Sequence, residues 1–300
     1  VGRVGRGPNE FTNPGRLVQL RGDTTALVDL SNRRLFLITP AGRPNGTIAL
    51  PSGAPPDGMQ LRVGDEVVVR PSIVPEFIDD AGRIYESASL RGGIDSAALV
   101  RADRLGAIPR RLAVLKLPRN IAERLGPTSV SFPVPFSGRD EWTATADGTV
   151  IIARVIDYRI EVIEPTGQRT ISPPVTFEAM GMTQQDKEQA LRQPAFAALP
   201  PASVAVLNNR LNKELPESKP PFAGRIHAAP DGLIWVPTSR RSQNDPLVYD
   251  VLDRSGRRLA RVRMPPRTTI VAFGRAAIYA TRADEFDLLY LQRFTLPSFK

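Results

Sequence analysis

A repeat of turn glycines is the feature that most limits how this chain of 300 residues can fold. Gly22 and Gly64 are 42 residues apart. Gly148 precedes Gly232 by 84 residues, or two periods, and Gly274 follows Gly232 by 42. Glycine accepts the positive φ of tight hairpin turns, and a period of about 40–45 residues with four strands is typical of propeller blades. An all-β propeller is therefore predicted, because a β-sandwich lacks such an internal period.

The clearest copy of the repeated unit is the segment 142–169. An Asp-Gly pair at 147–148 indicates a hairpin turn. Residues 150–153 are apolar at consecutive positions, which predicts a strand buried on both faces. Residues 159–163 alternate between polar and apolar, which predicts a strand with one face in water, and a Thr-Gly turn follows at 166–167.

The same pattern predicts a single domain over residues 1–300 with five blades. The predicted blades are residues 15–50, 59–118, 139–177, 222–266 and 267–297. Residues 178–221 break the rhythm, and Thr183 and Asp186 form a capping-box pattern there, ahead of good helix formers. This segment is therefore predicted to be a partly helical insertion.

Two further segments interrupt the strand pattern. Residues 71–93 break the second blade and contain a hairpin-like turn at 80–83. Residues 118–138 are predicted to be irregular. The 29 prolines and 23 glycines are spread along the chain as turn residues, which favours many short strands over long helices.

Composition excludes several classes of protein and site. Hydrophobic residues make up 41% and charged residues 24%, as in an ordinary globular protein, so wholesale disorder is not expected. No run of apolar residues reaches 18, so no transmembrane segment is expected. The chain has no cysteine, which excludes disulfides, thiol catalysis and zinc sites with cysteine ligands.

The formal net charge of +9 raises the question of nucleic-acid binding. Only five of the 40 basic residues are lysine, so 35 are arginine, and they are scattered among 31 acidic residues. A basic stripe with interleaved stacking aromatics is missing, so specific nucleic-acid binding is not expected. Non-specific attraction to anionic surfaces is compatible with the charge.

Several short motifs resemble those of a known family. They are G-P-N-E-F after V-G-R at 4–11, D-G-x-V-I-I at 147–152, D-G-x-I-W-V at 231–236, P-x-G-R at 40–43 and D-E-F-D-L-L-Y-L-Q-R-F at 284–294. Over nearly the whole chain they resemble the six-bladed, NHL-like β-propeller family of bacterial proteins. The resemblance implies the fold well and the activity poorly. Because many members carry an export signal, it also implies the periplasm, the cell surface or the extracellular space.

The resemblance implies one blade more than the five units counted here. In that family, the segment similar to residues 1–11 usually follows a complete first blade. We therefore expect either an N-terminally truncated fragment that lacks one blade or a propeller closed by other means. Open first and last sheets would expose strand edges, which favours a partner protein or self-association.

Aligned second strands supply the candidate ligand-binding residues. Positions six or seven residues past the first-turn glycine, together with two arginines that follow closely, are Asp29, Arg70, Arg154, Thr238, Arg240, Thr281 and Arg282. Equivalent positions in successive blades lie at one level around the axis, so these side chains are predicted to meet at one mouth of the channel. Arginine forks match carboxylate or phosphate, which predicts a small anionic ligand or a protein partner. Alternatively, each arginine pairs with a nearby acid, such as Asp157 or Asp284, and holds the blades together.

Catalytic residues are not predicted, and no cofactor is expected. His227 is the only histidine, whereas a zinc site built on histidines needs more than one. A Ser-His-Asp triad could use only this residue, and the chain has no G-x-S-x-G elbow. His227 is therefore interpreted as a strand residue.

A calcium site is the one metal alternative. Asp284, Glu285 and Asp287 lie close together in sequence, and propeller lactonases of similar fold hold a central metal through oxygen ligands from several blades. These three acids share one loop, so the other interpretation is a solvated loop that pairs with Arg282 and Arg293. No metal ligand is assigned.

Three functions are consistent with these patterns. The first is a non-enzymatic ligand- or protein-binding module, expected in the bacterial cell envelope, that binds an anionic ligand or partner at the channel mouth. The second is a calcium-dependent, lactonase-like hydrolase. The third is a structural protein that assembles through open blade edges.

Overall fold

A computed structural model gives the fold of the chain. It describes residues 3–7, 9–22, 24–50, 60–63, 66–69, 75–90, 95–105, 107–125, 128–192, 196, 199–242 and 245–299. The chain divides into two compact units, each described by itself below. The first consists of Val1–Leu115, Ala144–Val150 and Ile163–Gln168, and the second of Lys116–Thr143, Ile151–Val162 and Arg169–Lys300.

The first blade is a four-stranded antiparallel meander. It is preceded by a short parallel pair, β1 (Arg3–Val4) and β2 (Glu10–Phe11). Its strands, in spatial order, are β3 (Pro14–Gln19), β4 (Thr25–Asp29), β5 (Arg34–Ile38) and β6 (Pro44–Ala49). The two central strands supply the buried core, with Val28 and Phe36 fully buried.

The second blade is larger than predicted, with six strands. They are β7 (Gln60–Val63), β8 (Glu66–Val69), β9 (Phe77–Ile78), β10 (Ile84–Leu90), β11 (Ser96–Ala102) and β12 (Arg110–Lys116). The spatial order is β12-β11-β10-β8-β7, and β9 also pairs with β10. The predicted hairpin at 80–83 is confirmed, because the Asp79 amide donates to the Arg83 carbonyl over 3.1 Å and Gly82 has a φ of +78°.

The prediction that residues 118–138 are irregular is wrong. They contain an antiparallel hairpin of β13 (Asn120–Leu125) and β14 (Thr128–Pro133). Ile121 and Phe132 are register partners, and both are buried in one apolar cluster with Leu207 and Leu211. The hairpin is thus stabilised by residues that lie far away in sequence.

The third blade contains residues 142–169, the clearest copy of the repeated unit in the sequence. Its strands are β15 (Glu141–Ala144), β16 (Val150–Arg154), β17 (Arg159–Ile163) and β18 (Arg169–Ile171). The first four residues of β16 are all buried, as predicted, and Gly148 has a φ of +89° in the preceding turn. The prediction of one wet face for β17 is wrong, because Glu161 is only 2% exposed.

The insertion contains two helices. α1 (Gln184–Leu191) begins at the predicted capping box, in which Thr183 and Asp186 bond each other's backbone amides. α2 (Pro201–Glu214) was not predicted, although Pro201 at its first turn is a helix-start signal. Among the residues that the structure describes, no helix is long and apolar enough to cross a membrane.

The fourth and fifth blades complete the described part of the propeller. The fourth has β19 (His227–Ala228), β20 (Ile234–Pro237), β21 (Val248–Leu252) and β22 (Arg258–Arg263). The fifth has three strands, β23 (Thr268–Gly274), β24 (Ala277–Ala283) and β25 (Leu289–Thr295). Trp235 and Ile270 belong to a core cluster that both blades share. The predicted all-β propeller of five blades with a partly helical insertion is confirmed.

Candidate functional site

The structure brings two of the predicted ligand residues together. Thr238 and Arg240 line one cleft in the fourth blade. Arg154 lies in the third blade, and Thr281 and Arg282 lie on β24, away from that cleft lining. Asp29 belongs to the first unit, and Arg70 lies outside the described residues.

Asp29 fixes the polypeptide that leads into the first blade. Its carboxylate is completely buried and accepts hydrogen bonds from Asn32 Nδ2 at 2.6 Å, from Arg34 Nε at 3.3 Å and from the Thr12 amide at 3.3 Å. Burial alone would raise the pKa of Asp29, but the bonds from Asn32 and the backbone outweigh it and hold this pKa below its usual value. The carboxylate is therefore engaged within the protein.

Arg154 is held by two acids of the third blade. Its Nη1 lies 2.7 Å from Asp140 Oδ2, and its Nε donates to Glu161 Oε2 at 2.8 Å. On the other side of Glu161, Oε1 lies 2.6 Å from Arg169 Nη1. Burial alone would lower the pKa of Arg154, but the hydrogen bonds that it donates to both carboxylates outweigh this and raise it, so the guanidinium stays charged. We call Asp140, Arg154, Glu161 and Arg169 the Arg154 cluster, and it matches the alternative of arginine–acid pairs, with partners other than Asp157.

Asp250 occupies the position in the fourth blade that Glu161 occupies in the third. Each is the third residue of a five-residue third strand, and each is buried. Asp250 is paired with Arg261 Nε at 2.9 Å and Arg258 Nη1 at 3.3 Å, and it accepts a bond from the Tyr158 hydroxyl at 2.9 Å. The sequence signal is a repeated acid-Val-aliphatic pattern at 161–163 and 250–252, which our sequence reasoning missed.

At the cleft, a short second-strand side chain stands where the third blade has a long one. Both Arg154 and Thr238 lie six residues after the turn glycine of their blade. Arg154 crosses to Glu161, whereas the Thr238 hydroxyl donates to the carbonyl of Val248 at 3.1 Å on the adjacent strand. The volume left open in the fourth blade is about 380 Å³.

Arginine is the main charged residue type in the cleft. Four arginines line it, namely Arg240, Arg241, Arg261 and Arg263. Three acids also line it, so the formal charge of the lining is positive by one; these are Glu178, Asp245 and Asp250. Arg263 is exposed and forms no ion pair with any residue of the described ranges. The arrangement can attract and bind an anion.

The insertion holds the segment that carries two of these arginines. Lys219 Nζ donates to the carbonyl of Arg240 at 2.9 Å and to that of Arg241 at 2.7 Å. It also pairs with Asp186 Oδ1 at 2.7 Å, and both side chains are at least nine-tenths buried. A residue of the insertion therefore holds the backbone of Arg240 and Arg241, which line the cleft.

His227 lies on β19 and does not line the cleft. Its ring packs against the ring of Phe273, with centroids 5.8 Å apart. Burial, helped by the nearby charge of Arg225, lowers the pKa of His227 to about 4. The imidazole is thus neutral at pH 7, which agrees with its interpretation as a strand residue.

The acidic loop proposed as a calcium alternative is engaged in its own turn. Asp284 Oδ1 accepts hydrogen bonds from the amides of Phe286 and Leu288, each at 2.9 Å. Asp287 pairs with Arg267 rather than with the two arginines expected. Within the ranges that the structure describes, no group of three or more histidines or acids could hold a metal.

Comparison with known proteins finds similarity in fold only. No protein-family profile and no curated protein matches the chain. A streptogramin B lyase structure is 10% identical with a TM-score of 0.34, covering 96% of this chain and 70% of that one. A virginiamycin B lyase from Staphylococcus aureus is 11% identical with a TM-score of 0.33, over 97% and 72%. A gluconolactonase from Xanthomonas campestris is 11% identical with a TM-score of 0.31, over 97% and 88%.

Proposed function

We propose that this propeller is a non-enzymatic binding module that takes a small anionic ligand, or an acidic group of a partner, in the cleft of the fourth blade. The observation that carries the proposal is the convergence of four arginines on one cleft of about 380 Å³. Guanidinium groups match carboxylate or phosphate oxygens with two parallel hydrogen bonds. A cleft of this size accepts a ligand considerably larger than a single inorganic ion.

The charge balance of the cleft supports an anion over a neutral ligand. Asp250 is shared between Arg261 of the lining and Arg258 beside it. Glu178 pairs with Arg241 on the surface at 3.0 Å, where solvent weakens the interaction. Arg263 has no acid partner in the described part of the chain, so an incoming anion would neutralise an existing excess of positive charge.

Hydroxyl groups at the cleft would complement the arginines. Ser239 lines it, and its hydroxyl forms no hydrogen bond with a residue of the described ranges. The Thr238 hydroxyl uses its proton on Val248 and can still accept. Serine and threonine hydroxyls commonly bond phosphate and carboxylate oxygens, so these two groups would fix the orientation of a ligand that the arginines attract.

Calorimetric titration with inorganic phosphate and with acetate at low ionic strength tests the proposal. We expect the wild-type protein to bind at least one of them, and the double variant R240Q/R263Q to bind it at least tenfold more weakly. Hydrogen bonds to charged groups contribute about 1.5–3 kcal/mol each, which makes a tenfold loss the minimum expected.

A matched control separates the cleft from net charge. The double variant R275Q/R293Q removes the same two charges at exposed positions that form no ion pairs within the described residues. We expect it to bind as the wild type does. An equal loss of affinity in both double variants would reduce the effect to overall charge and would refute a specific site.

The remaining expectations stay predictions. Six-bladed, NHL-like membership and a periplasmic or cell-surface location are tested by neither the fold nor the cleft. The calcium-dependent hydrolase is checked by titrating the protein with calcium. Assembly through open blade edges is checked by light scattering, where a stable monomer would contradict it.

A further inference from the structure

We infer that Lys219 is a positioning residue for the cleft: it holds the backbone from which Arg240 and Arg241 extend. The inference rests on the anion binding proposed above. It concerns a residue that does not line the cleft and that the alignment of second strands does not single out.

The ammonium of Lys219 is matched to its surroundings donor by donor. An ammonium has three N–H donors, and three oxygens lie within reach of this one. They are Asp186 Oδ1 at 2.7 Å, the Arg240 carbonyl at 2.9 Å and the Arg241 carbonyl at 2.7 Å. The side chain is only 5% exposed, and the ring of Phe136 lies 5.7 Å from the nitrogen. Water therefore has little access with which to replace these bonds.

The choice of lysine is informative in a chain whose basic residues are nearly all arginine. Five of 40 basic residues are lysine, and one of them occupies this buried position. A lysine ammonium is a compact charge with rotatable donors, whereas a guanidinium is larger and planar. Three oxygens converging on one point suit the ammonium.

Lys219 is itself anchored to the first helix of the insertion. Its amide donates to the Met180 carbonyl at 2.8 Å. The second carboxylate oxygen of Asp186 accepts from the Thr183 amide at 2.9 Å and from the Thr183 hydroxyl at 2.7 Å, at the start of α1. Burial alone would raise the pKa of Asp186, but Lys219 and Thr183 outweigh it and lower this pKa. The ion pair with Asp186 thus secures Lys219 within the insertion, and the two hydrogen bonds from its ammonium join the insertion to the arginine-bearing segment.

The role follows from what the two carbonyls need. Without Lys219, the backbone oxygens of Arg240 and Arg241 would have to find water or rearrange. The guanidinium groups would then have to be ordered by the ligand at the moment of binding, and part of the affinity would be lost.

The test compares Lys219→Met with Lys213→Met. Both variants remove one ammonium from the insertion, but Lys213 is an exposed residue in the last turn of α2 and forms no ion pair within the described residues. Phosphate titration is performed under conditions where both variants are fully folded. We expect Lys219→Met to bind phosphate at least tenfold more weakly than the wild type, and Lys213→Met to remain within twofold. If Lys219→Met does not fold, Lys219→Arg supplies the comparison, with a loss in the same direction.

Hydrogen exchange provides a readout that does not depend on the ligand. We expect the amides of residues 239–242 to exchange faster in Lys219→Met but not in Lys213→Met. Wild-type affinity and exchange in Lys219→Met, or equal losses in both variants, would overturn the positioning role. If wild-type protein binds no phosphate or acetate, the proposed function fails, while the exchange comparison still decides whether Lys219 holds this segment.

Discussion

The third and fourth blades compensate the charge of a buried acidic residue in different ways. Each buries an acid at the centre of its third strand, Glu161 in one and Asp250 in the other. In the third blade the second strand supplies a cation, Arg154, which fills the space beside the acid. In the fourth blade both arginines come from the fourth strand, and the corresponding second-strand residue is Thr238.

The two blades differ in whether the second strand adds a cation, because the fourth strand supplies one or more in both, namely Arg169 in the third blade and Arg258 and Arg261 in the fourth. The buried carboxylate is compensated in both blades, as it must be in a region of low dielectric. In the fourth blade the second-strand residue is Thr238, and this short side chain lines the cleft. The two blades thus differ in side chains and share the same order of strands.

The largest expected effect comes from Arg154→Met in the third blade. It leaves Asp140 and Glu161 with less compensation in a buried site, and breaking a buried pair on one side costs about 3–5 kcal/mol. Urea denaturation measures the loss of unfolding free energy. Arg240→Met is the counterpart in the fourth blade, and we expect it to cost less than Arg154→Met because Arg240 is only half-buried at an open cleft, where it donates to the Asp245 carbonyl at 3.3 Å. Equal losses would abolish the distinction between the two blades.

The next effect is a pH dependence that belongs to the fourth blade alone. His227 has a pKa of about 4 in the folded protein against 6.5 when unperturbed. Between these values the unfolded chain binds a proton that the folded chain does not, so stability falls as the pH is lowered through this window. The full loss is up to about 3 kcal/mol.

A variant and a spectrum check this prediction. Since His227 is the only histidine, its ring resonances report one titration, and we expect a midpoint near pH 4. In His227→Asn, the part of the pH dependence between about 6.5 and 4 should disappear while acid unfolding by carboxylates remains. A midpoint near 6.5 would show that the imidazole is solvated.

The smallest expected change in stability is that of Thr238→Arg, which makes the fourth blade resemble the third. The new side chain would enter the cleft and stand beside Asp250, as Arg154 stands beside Glu161. We expect phosphate or acetate binding to weaken at least tenfold, while the unfolding free energy changes by about 1 kcal/mol or less. Thr281→Arg, on β24, is the control and should leave binding unchanged. Unimpaired binding by Thr238→Arg would place the ligand elsewhere.

Much of the fold is predictable because it depends on residues that are close together in sequence. The turn glycines and the strands they separate follow from periodicity, and the helix cap at Thr183 follows from two side chains three residues apart. The hairpin β13–β14 and the helix α2 were missed because their stability is shared. Phe132 packs on Phe196, 64 residues later, and no local pattern reports such a contact.

The candidate site is predictable only in part. Counting from the turn glycines identified Thr238 and Arg240, since equivalent repeat positions have equivalent places in a blade. Counting residues could not show that Arg154 differs from Thr238 and Arg240. Arg154 is paired with Asp140 and Glu161, which lie outside its own strand. Lys219 could not be identified from the sequence, because two of its partners are backbone carbonyls more than 20 residues away. Every residue type supplies such a carbonyl, so no sequence pattern marks it.

The arginines on the fourth strand of the fourth blade also affect which positions of this chain tolerate substitution. Because Arg258 and Arg261 compensate the charge of Asp250, Thr238 can be substituted without leaving that carboxylate unpaired. Residue 154 lacks that freedom, since two acids depend on it. The lining of the cleft in the fourth blade can therefore diversify by single substitutions, whereas the third blade would need compensating changes at several positions together.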